Sequence, residues 1–394
     1  MRLKSGSIGS RMHFIHRVLE PPAGSFFLFG PRGTGKTTWL KRQYPSALWI
    51  NLLQPEELMY YSASPEKLKD VILANPNAKT VIIDEVQKVP ILLSLVHSII
   101  EEKRGIQFIL TGSSARKLKR AGVDLLAGRA ILKKMHPFAA FELKDEFQLD
   151  QALKIGLLPL VWEAENPLAT INTYAALYLK EEVQEEGIVR RVGDFARFLK
   201  VMSFSHASLL NTANIARECS VSRKTVDSYL QILEDLMLSF TLHVFTKKAQ
   251  RALSAHAKFY FFDAGVFRSL RAKNPMDRSE EIDGAALEGL VAHHLKFWLD
   301  HQEDSWELEF WRTRSGVEVD FVLYGPTGFW AIEVKNNSTL SPSDTRGLEE
   351  FQKDYPQCKT LLLYRGTRRV MQNNVLCIPC EEFLRNMNPK QPLF

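Results

Sequence analysis

Residues Phe26 to Trp39 read FFLFGPRGTGKTTW, and this stretch limits the fold more than any other part of the chain. Four apolar residues, Phe26 to Phe29, predict a buried strand. Glycines at 30, 33 and 35 follow, then Lys36, Thr37 and a helical stretch from Thr38 to about Gln43. Gly30 to Thr37 fits the P-loop pattern GxxxxGK(S/T) without a gap. Glycines lack a Cβ, so backbone N–H groups can close around a phosphate, and the helix N-terminus adds the positive end of its dipole. Gly30, Pro31, Arg32, Gly33, Thr34, Gly35, Lys36, Thr37 and Thr38 are therefore the expected cradle. Lys36 would reach the outer phosphates, and the Thr37 hydroxyl would take one position on Mg2+. The expected ligand is ATP with Mg2+.

A chain of 394 residues suggests two or three domains of roughly 150 residues each. Basic residues number 51 against 45 acidic, a net charge of +6, which permits contact with nucleic acid without requiring it. The longest apolar stretch, Ile91 to Ile100, is interrupted by Ser94, His97 and Ser98. It is too short for a membrane span, which needs about twenty residues. Four cysteines in so long a chain fit a reducing cytoplasm. Cys377 and Cys380 form a lone CxxC that lacks a second pair for zinc, so a structural role is expected.

Ala47 to Asn51 predicts a second strand, and Ser64-Pro65 an N-cap opening a helix to about Leu73. Thr80 to Glu85 reads TVIIDE, a buried strand that carries two acids to its carboxyl end, the Walker B arrangement. Asp84 would hold Mg2+ and Glu85 would act as general base toward the attacking water. The strand Gln107 to Leu110 ends in Thr111-Gly112-Ser113-Ser114. Thr111 or Ser113 there could touch the γ-phosphate, the sensor 1 role of AAA+ ATPases. Arg129 precedes a strand from Ala130 to Lys134. It is a candidate arginine finger for a neighbouring subunit's ATP, or a residue in a local salt bridge. A helical lid is expected over about 143–204, including the charged run from Lys180 to Gly187.

Ala213 to Cys219 predicts a short helix, Ser222 an N-cap, and Val226, Leu230, Leu233 and Met237 the apolar stripe of a longer helix. This is helix-turn-helix spacing, with Leu238 to Phe245 as a possible wing. Arg223 and Lys224 fall in the first turn of the candidate recognition helix. Cations there oppose the helix dipole, which a phosphate partner would explain. Lys258 to Asp263 predicts another strand, and Arg271 to Gly284 a boundary loop. A helix from Ala285 to Leu299 then carries Glu288. Strands follow at 306–311, 317–323 and 328–335, bearing Asp320, Glu333 and Lys335. Residues 318 and 320 share one face of their strand, as do 333 and 335 of theirs, and a hairpin between the strands lets Asp320, Glu333 and Lys335 converge. Together with Glu288 they form the PD-(D/E)XK pattern of metal-dependent nucleases, in a fold that is often kept for binding alone. Asp320 and Glu333 would hold a divalent ion, or Lys335 would be their counter-cation. After a further helix and strands, the tail from Asn386 is expected to be loose.

The chain resembles a prokaryotic family of AAA-type ATP-binding proteins with a C-terminal domain of unknown function. The stretches that carry the likeness are GPRGTGKTT at Gly30, IIDEVQKVP at Ile82, LTGSS at Leu110, AGR at Ala127, WRTRSGVEVDFVL at Trp311 and IEVK at Ile332. The resemblance implies an ATPase fused to a winged helix and a nuclease-like fold.

The expected class is therefore α/β. It comprises a P-loop AAA-type ATPase domain (1–140), a helical lid (141–205), a winged helix-turn-helix (206–257) and a PD-(D/E)XK nuclease-like domain (258–394). The expected function is an ATP-hydrolysing machine on DNA, branched DNA by analogy. It would be a cytoplasmic hexameric ring or part ring, gripping DNA also through Arg116, Lys117, Lys119 and Arg120. An ATP-gated nuclease and a nucleotide-dependent switch acting on a protein partner are the alternatives.

Overall fold

Five strands, β1 (Phe26–Phe29), β2 (Leu48–Asn51), β3 (Thr80–Asp84), β4 (Gln107–Gly112) and β5 (Ile131–Lys134), pair in parallel in the order β2-β3-β4-β1-β5. The computed structural model describes residues 14–113, 116, 126–185, 192–246, 256–271 and 277–393. Ser114, Lys117, Lys119, Arg120 and Gly187 lie outside the described residues.

Strand β1 is apolar at every position and buried at every position, as a strand covered on both faces must be. It leads through the glycine loop into α1 (Lys36–Gln43), whose Trp39 and Leu40 are buried against the sheet. Burial of two such side chains is worth about 1.5–3 kcal/mol each, enough to hold α1 where its amino end faces the loop. Helices α2 (Pro55–Ala63), α3 (Lys67–Ala74) and α4 (Leu92–Glu101) complete the unit. Ser64, expected to open a helix, instead closes α2, its N–H bonding to Tyr60 O at 3.1 Å. The helix beyond it starts at Lys67.

Helices α5 (Ala140–Leu143), α6 (Leu149–Ile155), α7 (Pro159–Trp162), α8 (Pro167–Thr173), α9 (Leu179–Glu185) and α10 (Val192–Ser203) follow. Next come β6 (Ser208–Leu209), α11 (Thr212–Cys219), α12 (Arg223–Asp235), β7 (Ser239–Leu242) and β8 (Lys258–Phe261). The three strands form one sheet in the order β6-β8-β7 beside the α11–α12 pair. Strand β8 therefore belongs with β6 and β7, and a division at residue 257 would cut their sheet.

After α13 (Ala264–Leu270), the long helix α14 runs Ser279–Leu299. The expected boundary loop thus ends at Arg278, and residues 279–284 are helical. A six-stranded mixed sheet follows, made of β9 (Glu307–Arg312), β10 (Glu318–Gly325), β11 (Gly328–Lys335), β12 (Lys359–Tyr364), β13 (Val370–Gln372) and β14 (Val375–Pro379). Its order is β13-β14-β12-β11-β10-β9. Helix α15 (Arg346–Asp354) covers one face, its Leu348 and Phe351 buried with Trp311 and Leu362. The last helix is α16 (Cys380–Asn386).

One hydrophobic core runs through helices α5 to α14, the β6-β8-β7 sheet and the other face of the C-terminal sheet. The tail after Asn386 is pinned rather than loose. Trp298 Nε1 donates to Gln391 O at 3.3 Å, Gln302 Nε2 to Pro389 O at 2.8 Å, and Lys390 pairs with Glu20. Cys377 and Cys380 are buried thiols, and burial pushes the Cys380 pKa up to about 12.

Candidate functional site

The parallel register brings the functional residues of the first sheet to one edge. Leu28 pairs with Thr111, Phe29 with Gly112, and Asn51 with Asp84, so the loop after β1 and the ends of β3 and β4 share the carboxyl side. Gly30 is needed for close packing: a Cβ there would stand 2.3 Å from Met135 O at the end of β5. Gly35 is needed for its backbone, with φ 87° at the N-cap of α1. No side chain caps α1, so its first-turn N–H groups are left for an anion. Lys36 is nearly buried, and its ammonium donates to Gly30 O at 2.7 Å and Pro31 O at 3.2 Å across the cradle.

Asp84 is gripped from two sides. Thr37 Oγ1 lies 3.1 Å from Asp84 Oδ2, and the Thr111 hydroxyl donates to Asp84 Oδ1. The Thr37–Asp84 pair is the donor set that Mg2+ on an ATP phosphate would use. Thr111 also accepts the Glu85 N–H at 3.3 Å and is fully buried. It therefore orients both Walker B acids. Glu85 sits at φ 61°, a left-handed conformation costly for a glutamate, and opens a single 3-10 turn, Val86–Lys88. The Gln87 amide bonds to Glu85 Oε2. A Cβ on Gly112 would stand 2.2 Å from Gln87 Oε1, so glycine there makes room for that contact.

Two residues absent from the sequence reading hold the loop from behind. Arg17 donates to Thr34 O at 2.9 Å and His136 O at 2.7 Å, and pairs with Glu142 of α5 at 3.0 Å. Glu142 also receives the Val18 N–H at 2.8 Å. The lid touches the loop as well: Tyr174, in a π-helical turn Tyr174–Tyr178, donates to Arg32 O at 3.0 Å, and Leu160 N–H to Gly33 O at 3.2 Å. Arg32 itself is exposed, its guanidinium 4.7 Å from the centre of the Tyr178 ring.

Arg129 lies at the amino end of the edge strand β5 and pairs with Glu101 at the end of α4. Arg116, expected on a DNA-gripping surface, is turned inward: its side chain is 9% exposed and pairs with Asp235, the last residue of α12. Arg223 and Lys224 occupy the first turn of α12, both exposed, after Ser222, whose hydroxyl accepts the Thr225 N–H at 3.1 Å. Among the described residues no carboxylate forms an ion pair with either cation.

In the C-terminal sheet, Phe321 pairs with Ile332, and carrying that register one step sets Asp320 opposite Glu333. Asp320, Glu333, Lys335 and Glu288 do gather, but around a lysine the sequence reading left in an ordinary strand. Lys258 Nζ of β8 lies 2.7 Å from Glu288 Oε1 and 3.1 Å from Asp320 Oδ1, and also pairs with Glu318. Lys335 instead pairs with Glu333 at 2.6 Å. One buried ammonium cannot neutralise three carboxylates. Burial, then the nearby Asp320, push Glu288 up to about 7, and the same two causes push Glu333 up to about 8.

Fold and site together define a P-loop nucleoside triphosphatase. Residues 23–144 match an AAA domain, residues 146–277 a domain of unknown function (DUF8612) and residues 283–383 a domain of unknown function (DUF4143). The amino-terminal part of the chain is thus similar to AAA-type ATP-binding domains, and the remainder to two domains of unknown function. No curated protein matches it. Among solved structures, replication initiator DnaA bound to AMPPCP and single-stranded DNA is 16% identical, over 54% of this chain and 82% of its own, with a TM-score of 0.27. AMPPCP-bound DnaA from Aquifex aeolicus is 16% identical over 54% and 81%, with a TM-score of 0.29. A Vibrio cholerae protein is 12% identical over 92% and 96%, with a TM-score of 0.22. No helix among the described residues is long and apolar enough to cross a membrane.

Proposed function

We propose that the protein is an ATP-hydrolysing DNA-binding machine in which the AAA-type domain drives the winged helix. Arg223 and Lys224 carry this reading. Both are exposed cations at the amino end of α12, where the helix dipole repels them and no described carboxylate offsets them. A DNA phosphate would supply the missing partner. In the nucleotide site, Thr37 and Asp84 would hold Mg2+, which would supply neutralisation of phosphate charge. Lys36 moves from the loop carbonyls to the phosphates. Glu85 accepts the proton of the attacking water, held by Gln87 and by the Thr111 bond to its N–H. Arg129 acts on the ATP of a neighbouring subunit in a ring or part ring, released from Glu101. Forked or branched DNA is the favoured substrate class.

DNA binding measured against salt tests this, with single-stranded, duplex and four-way DNA, alongside ATPase rates with each. Wild type binds and is stimulated. In the double variant Arg223→Ala/Lys224→Ala, each lost phosphate contact lowers the slope of log K against log salt by about 0.9. Unchanged affinity and slope would turn the winged helix toward a protein partner.

A further inference from the structure

Four carboxylates from three elements meet beside the C-terminal sheet: Glu288 of α14, Glu318 and Asp320 of β10, and Glu333 of β11. A divalent-cation site would turn their oxygens toward a shared centre. That centre holds the Lys258 ammonium, on a side chain 3% exposed. Its three N–H donors match three carboxylates, Glu288, Glu318 and Asp320. The other oxygens of the inner pair are also committed. Asp320 Oδ2 accepts the Val334 N–H at 2.9 Å, and Glu318 Oε2 pairs with Arg312. Tyr260 donates its hydroxyl to Glu288 Oε1 at 2.6 Å. Among the described residues no group of three or more His, Cys, Asp or Glu side chains is placed to hold a metal ion. A metal drawn to these oxygens would stand against the ammonium in a region where water screens little. The residues present do not fit a metal.

We propose that Lys258 is the resident cation of this site, and that it makes a nuclease-like fold into a metal-free joint between two sheets. Lys258 belongs to the winged-helix sheet through its pairing with Leu209 and Leu242, whereas the carboxylates belong to α14 and the C-terminal sheet. The charge that would hold a divalent ion instead fastens the winged helix to its neighbour. The metal site is latent. Glu333 Oε2, buried and without a hydrogen-bond partner, is a ready fourth oxygen once the ammonium is removed.

The test uses the full chain without nucleotide in a Lys36→Ala background, which keeps residual nucleotide, and the metal it carries, out of the P-loop. Mn2+ is titrated while thermal unfolding and Mn2+ binding by electron paramagnetic resonance are followed. With Lys258 intact, the midpoint is unmoved by Mn2+ and no bound signal arises. Lys258→Met unfolds at lower temperature without metal, because its carboxylates have lost their cation, and its midpoint then rises with Mn2+ concentration. Adding Asp320→Asn abolishes that rise. Folded Lys258→Met that binds no Mn2+ overturns the proposal. So does Mn2+ binding with Lys258 intact that Asp320→Asn removes, an outcome that can be read even where Lys258→Met does not fold.

Discussion

Arg116 donates a hydrogen bond to Asp235, joining the segment after β4 to the last turn of the candidate recognition helix. Strand β4 itself carries Thr111 against Asp84. A short covalent path and one ion pair therefore lead from the Walker B carboxylate to α12.

Asp235→Ala should uncouple these two ends. It removes the charged bond between Arg116 and Asp235, a loss of about 1–3 kcal/mol. Basal turnover and DNA affinity should stay near wild type while stimulation by DNA falls. Steady-state ATPase assays with and without DNA read the outcome. Undiminished stimulation would route the coupling elsewhere.

Glu85→Gln should keep nucleotide binding and lose turnover by about 10²–10⁴-fold, since the amide cannot take a proton but leaves the phosphate contacts in place. Lys36→Ala should lose tight binding altogether. Fluorescent-nucleotide titration and phosphate release separate the two variants, and near-normal turnover by Glu85→Gln would move the base to another residue.

Arg129→Ala mixed with Lys36→Ala should recover hydrolysis if Arg129 serves a neighbouring subunit, because each variant then supplies what the other lacks. The assay is phosphate release from assemblies shown to contain both chains. Mixtures that stay inactive would leave Arg129 to its pair with Glu101.

Glu333 gives the protein a pH dependence whose sign is fixed. Burial first, then Asp320, raise its pKa from 4.5 to about 8, against the pull of Lys335 and Lys258. The folded state thus binds a proton that the unfolded state has already released. Its stability contribution is fully present below pH 4.5, declines above that, and is gone once the pH passes about 8. Glu333→Gln should flatten the fall in melting temperature over that window. An unchanged fall would mean that Glu333 is ionised in the folded protein.

The nucleotide site was legible because its residues are local. Gly30 to Thr37 is one unbroken stretch, and Asp84-Glu85 ends one buried strand. What the sequence hid was partnership at long range. Arg17 reaches Glu142 across 125 positions, Arg116 reaches Asp235 across 119, and Lys258 reaches Glu318 across 60. No periodicity marks which cation meets which acid over such separations. Lys258 was hidden further by its strand, KFYFFD, where one lysine at the edge of an apolar run reads as solvated. Gln87 was the nearest miss, two positions beyond Glu85 and inside a stretch already singled out.

The core shared by helices α5 to α10, the α11–α12 pair with its three-stranded sheet, and the C-terminal sheet has a consequence for how the protein could be rebuilt. Three segments that look modular along the chain share one packed interior. A helix pair and three-stranded sheet grafted there from another protein would bring the wrong half of a packed interior, and no lysine for the waiting carboxylates. Exchange of parts is open to the P-loop sheet, which keeps cores of its own on both faces. Beyond it, the chain would have to be replaced as a whole.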